Sequence, residues 1–70
     1  MENHTEFESK NIRRISYIES SDTLEVEFLN GSIYQYFDVP DNVWRDFKNA
    51  PSKGGFLHAN IKGHYRYARV

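Results

Sequence analysis

Apolar and polar positions alternate strictly between Thr23 and Phe28. Leu24, Val26 and Phe28 fall on one side and Glu25 and Glu27 on the other, the period of a half-buried strand. Asn30-Gly31 follows, a pair that tolerates the positive φ of a tight hairpin turn. Ile33 to Val39 then reads as the returning strand, and it carries Tyr34-Gln35-Tyr36. Upstream, Ile12 to Ile18 reads as a first strand with Ile15 and Tyr17 on one face, closed by a turn at Ser20-Ser21-Asp22. Three strands in series predict an antiparallel meander. Residues 1–8 are mostly polar, with one Phe, and read as a flexible N-terminus, leaving residues 9–70 as a single domain.

The hairpin register decides the face of the two tyrosines. A two-residue turn at Asn30-Gly31 would pair Phe28 with Ile33 and put Tyr34 beside Glu27 in water. A three-residue loop, Leu29-Asn30-Gly31 with Gly31 as a left-handed bulge, would pair Phe28 with Ser32. Val26 would then face Tyr34, and Leu24 would face Tyr36. A one-residue slip turns every side chain over. The three-residue loop is favoured because it leaves polar Gln35 outside and groups the apolar residues. On the apolar face the tyrosines join the core; on an open face they would form a stacking platform for bases.

The period lengthens after Pro40-Asp41, which suit a helix start. Val43, Trp44, Phe47 and Ala50 share one side, and Pro51 ends the helix. Ser52 is a candidate N-cap for a shorter helix through Phe56, Leu57 and Ile61, with Gly63 as its stop. The tail from Tyr65 to Val70 alternates and fits a short edge strand or an ordered coil. The fold class is therefore α+β: a three-stranded antiparallel meander packed against one or two C-terminal helices. The core expected is Ile15, Tyr17, Leu24, Val26, Phe28, Val39, Val43, Trp44, Phe47, Leu57 and Ile61.

Composition narrows the function. Seventy residues leave no room for a core and a deep catalytic cleft together. Without cysteine, no disulfide or thiolate metal site can staple the fold, so five Phe, five Tyr and one Trp must supply the buried area. No apolar run has membrane length and no secretory signal is legible, so a cytoplasmic protein with no membrane partner is expected. The net charge of −1 hides a polarity. Residues 1–44 hold nine acids and three bases, net −6, and residues 45–70 hold six bases and one acid, net +5. No acid follows Asp46. Such asymmetry fits an anionic partner, and it fits equally two halves that neutralise one another across the fold.

The ordered set Asn11-Ile12, Ile15, Tyr17, Thr23 to Phe28, Asn30-Gly31, Tyr34-Gln35-Tyr36, Val39-Pro40, Ala50-Pro51-Ser52-Lys53-Gly54, Ile61 and Tyr65 resembles the KTSC domain family over Ser9 to Val70. That family takes its name from the C-terminus of some lysyl-tRNA synthetases, and it also occurs as free-standing bacterial and phage proteins. The resemblance implies a small domain suggested to bind RNA. The chain departs from the family at His58-Ala59-Asn60, where many members are more basic.

Enzyme signatures are missing: no phosphate-cradling glycine loop, no zinc-type histidine pair and no cysteine nucleophile. No catalytic residue, metal ligand or cofactor is expected; His58 and His64, six apart, suit neither role. The stretch from Lys53 onward interleaves cations with rings, the mixture that attracts phosphate and stacks bases. Its candidate nucleic-acid contacts are Lys53, Lys62, His64, Tyr65, Arg66, Tyr67 and Arg69. The expectation is a non-catalytic binding module for RNA, either tRNA or a single strand. A protein-interaction or self-association module without nucleic-acid binding is the alternative.

Overall fold

The hairpin loop sets the register on which the sheet is built. In the computed structural model, which describes residues 2–5 and 11–70, the Gly31 N–H donates to Phe28 O at 3.0 Å and the Phe28 N–H to Ser32 O at 2.8 Å. Leu29-Asn30-Gly31 is thus the three-residue loop, with Gly31 at φ 92°. The strands it joins, β3 (Thr23–Phe28) and β4 (Ile33–Tyr36), pair Val26 with Tyr34 and Leu24 with Tyr36. Tyr36 is consequently buried and Tyr34 half-buried, on the face of Leu24 and Val26.

The sheet has five antiparallel strands in chain order rather than three. β2 (Ile12–Ile18) pairs with β3, as the meander requires. The expectation of a frayed N-terminus fails at residues 2–4. They form β1 (Glu2–His4), which pairs with β2, while residues 6–8 lie outside the described residues. At the other edge β5 (Tyr67–Arg69) pairs with β4. β5 falls in the alternating tail, as the edge-strand reading of that segment has it, whereas the three residues of β1 are too few and too polar to show a period. Between Ile12 and Arg14 the register shifts by one residue, a bulge at Arg13. It lets Ile12 and Ile15 both face the core despite their odd spacing.

Two helices cover one face. α1 (Asp41–Asn49) has Pro40 as its N-cap residue, and it buries Trp44 and Phe47. α2 (Lys53–Phe56) starts on Ser52, whose Oγ accepts from the Gly55 N–H at 3.1 Å. It widens into a π-helical turn over Leu57–Ile61, closed by the Lys62 N–H on Leu57 O at 2.9 Å, and Gly63 ends it at φ 82°. Trp44 stacks on Tyr17 at 5.4 Å and Phe47 on Phe56 at 5.3 Å. The Tyr17 hydroxyl lies 2.7 Å from Val39 O and 3.0 Å from the Asp22 carboxylate, joining β2 to the chain that enters α1. Of the expected core, Phe28 and Val43 are only partly buried; Ile12 and Tyr36 join it.

Candidate nucleic-acid interface

Burial falls off across the helix-covered face of the sheet. Ile15, Tyr17, Leu24 and Val26 on β2 and β3 are sealed beneath Trp44, Phe47, Leu57 and Ile61. Tyr34 on β4 is half-covered, and all three residues of β5 are exposed. The pairing of Tyr36 with Tyr67, and of Tyr34 with Arg69, puts the Tyr67 and Arg69 side chains on this same face. A trough therefore runs between the sheet edge and the end of α2's π turn. Its floor is a row of rings: Phe28 against Tyr34 at 5.6 Å, Tyr34 against Tyr67 at 6.0 Å, and Tyr67 against Tyr36 at 5.9 Å.

Three shallow depressions make up the trough, and adjacent ones share residues. The first, at the hairpin tip, is lined by Asn30, Ser32, Phe28, Tyr34 and Lys62. The second lies between Tyr34, Tyr36, Lys62, Gly63 and Tyr67. The third is formed by Phe37, Gly63, His64, Tyr65, Arg66 and Tyr67. Five of the seven residues singled out from the sequence thus line one continuous surface. Arg69 adjoins it by donating to Ser32 Oγ at 3.1 Å. Phe28, Tyr34, Ser32 and Phe37 belong to this surface too, and nothing in their chain positions groups them with the tail.

The cations in the trough differ in how far they are committed. Lys62 lies over the Phe28 ring at 5.7 Å and makes no ion pair among the described residues. Arg66 stacks over Phe37 at 5.7 Å and bonds the Asp38 carboxylate at 2.8 Å, with both side chains mostly in water. That pair joins a base of the tail to an acid of the first half, the kind of contact that the neutralising reading of the charge asymmetry implies. Lys53 is the outright correction. It is 7% exposed, and its ammonium donates to Ala50 O at 2.7 Å, closing the C-terminal end of α1. It lines none of the three depressions.

The opposite, helix-free face has the reverse character. Arg14 is held there at the centre of a polar network, with Nε on Glu27 at 3.0 Å and Nη2 on Glu25 at 3.2 Å. Its Nη1 reaches Ser16 Oγ at 2.6 Å and Asn3 Oδ1 at 3.3 Å. Gln35 adds a bond to Glu25 at 3.0 Å. The two carboxylates take up the Arg14 guanidinium, and Arg13 lies 3.9 Å from Glu27, so the cations on this side are committed to acids.

Residues 8–65 match the model of the KTSC domain. The chain belongs to the KTSC domain family. A lysine–tRNA ligase of Nostoc punctiforme is 42% identical over 59 residues, covering 84% of this chain and 10% of the ligase. An uncharacterized protein of Stutzerimonas stutzeri is 36% identical over 64 residues, 90% of each chain. The crystal structure of a KTSC domain protein from Yersinia pestis superposes with a TM-score of 0.85 at 34% identity, covering 91% of this chain and 90% of that one. The chain spans about a tenth of the length of the ligases it matches. The matched KTSC segment contains the β2–β4 meander and both helices; β1 and β5 lie outside it, one at each sheet edge.

Proposed function

We propose that this KTSC domain is a non-catalytic module that binds RNA along the trough. The observation that carries the reading is the row Phe28–Tyr34–Tyr67, with Lys62 and Arg69 beside it and Glu25 and Glu27 on the other side of the sheet. Cations at the margin of exposed rings offer both interactions that a nucleic acid needs, attraction to phosphate and stacking on bases. The lysine–tRNA ligases among the relatives have tRNA in their name, which favours RNA as the ligand class.

A titration of fluorescent RNA at several salt concentrations tests this. Three phosphate contacts, by Lys62, Arg66 and Arg69, give a slope of log affinity against log salt of about −2, from roughly −0.7 per contact on a single strand. Reversing Lys62 and Arg69 to Glu removes most of the binding and leaves the melting temperature in place. The reading falls if micromolar protein shows no salt-sensitive binding, or if the double reversal changes nothing.

One observation favours a protein partner instead. The Phe37 N–H bonds Arg66 O and the Val70 N–H bonds Ile33 O, so the backbone groups of Tyr67 and Arg69 point away from β4 at the sheet edge. An added strand could pair there, and such association would resist salt.

A further inference from the structure

We propose that the ligand is a single strand carrying an unpaired base that stacks on Tyr67, and that β5 is the element that selects it; this rests on the RNA-binding reading above. The rings of the trough are not equivalent. Lys62 lies over Phe28, Tyr36 is 2% exposed, and Tyr34 is half-buried with ring contacts to both Phe28 and Tyr67. Tyr67 is 65% exposed, the ring with surface left for a base. Tyr34 and Tyr36 support it from beneath, so little side-chain freedom is lost when a base settles on it.

The cations are placed on both sides of that ring. Tyr67 and Gly63 are shared by two adjoining depressions, one holding Lys62 and the other Arg66 and His64. A strand whose base rests on Tyr67 can thus place phosphates near positive charge in both directions. Gly63 leaves the junction open, since no atom lies within 4 Å of where a Cβ would stand. Inside a duplex both faces of a base are already stacked on neighbours, so Tyr67 can reach only an unpaired one. Tyr67 and Arg69 come from the tail beyond the matched residues 8–65. The segment matched by the family model therefore supplies the platform, and the tail beyond it supplies the exposed ring.

Three probes separate the elements of this proposal: a short single-stranded RNA, the same strand with abasic sites at its centre, and the strand annealed to its complement. At one salt concentration the wild type binds the base-bearing strand roughly 5- to 150-fold more tightly than the abasic one, the range of base stacking on an aromatic side chain. It also prefers the single strand to the duplex. Tyr67→Leu keeps an apolar side chain against Tyr34 and Tyr36 yet brings the base-bearing to abasic ratio toward one. Tyr67→Phe keeps that ratio, and melting curves confirm that both variants fold. Equal binding of all three probes, or an undiminished ratio in Tyr67→Leu, overturns the stacking proposal and leaves salt-sensitive RNA binding standing. No binding of any probe overturns both.

Discussion

Trp44 closes three contacts at once. Its ring stacks on Tyr17 at an interplanar angle of 9°, its Nε1–H donates to the Glu2 carboxylate at 3.1 Å, and the Lys48 ammonium lies 5.2 Å from its centroid. Lys48 also pairs with Glu2, so one side chain joins α1 to both β1 and β2. At 1% exposure its truncation leaves a large void. Trp44→Ala costs about 3–5 kcal/mol, close to the whole stability of a domain this small. Urea denaturation should find Trp44→Ala largely unfolded in water and Trp44→Phe folded but weakened, because Phe keeps a ring against Tyr17 and loses the bond to Glu2 and part of the indole's bulk. A urea midpoint for the alanine variant close to that of the wild type would mark the residue as peripheral. Lys53 teaches the complementary lesson. In the sequence it is one more cation in a basic run; in the fold its four-carbon stem is buried and its charge completes a helix end.

The elements that could be read in the sequence are those long enough to show a period. β3 alternates over six residues, α1 repeats over nine, and Ser52 and Gly63 mark where the second helix begins and ends. Even the register was legible, because Gln35 between two tyrosines leaves one sensible face. What escaped has a physical reason in each case. β1 is Glu2-Asn3-His4, with no apolar residue to reveal a strand; it is ordered by pairing to β2 and by the Glu2 contacts to α1. The bulge at Arg13 lies between two isoleucines three apart, a spacing that signals a bulge only once both are known to be buried. The trough depends on Phe28 and Tyr67, 39 positions apart in the chain and brought together only through β4. The hairpin loop offers a direct check. Gly31 sits at φ 92° with open space around its missing Cβ, so any cost of substitution there is conformational and not steric. Gly31→Ala should lower stability by about 1–2 kcal/mol, and Gly31→Asn by less, since Asn tolerates the left-handed region better. Equal denaturation midpoints for Gly31→Ala and the wild type would mean that the loop relaxes to another turn.

At the scale of the molecule, the sheet divides the charge. The two carboxylates of β3 lie on the helix-free face, bound to Arg14, and the cations of the tail gather on the other side around the trough. The polarity along the chain thus becomes a polarity between faces. Among the described residues only Arg66 meets an acid of the first half in the trough, Asp38, which adopts φ 58° just after β4. The layers themselves are pinned by Tyr17, whose hydroxyl reaches from β2 to Val39 O and Asp22. Burial, the bond to Asp22 and the nearby acids push this phenol up to about 12. Burial raises Tyr36 as well. Below pH of about 10, the ordinary tyrosine value, both phenols are neutral whether the chain is folded or not. Above it the unfolded chain loses these protons while the folded one retains them. The folded state then binds more protons, and stability must fall as pH rises. Denaturation midpoints measured from pH 8 upward should therefore hold until about pH 10 and decline toward pH 12. Tyr17→Phe should start from a lower midpoint, having lost both hydroxyl contacts, and then decline less steeply across that window. A decline as steep in Tyr17→Phe as in the wild type would assign the alkaline loss to other groups and deny Tyr17 its part in holding the sheet to the helix layer.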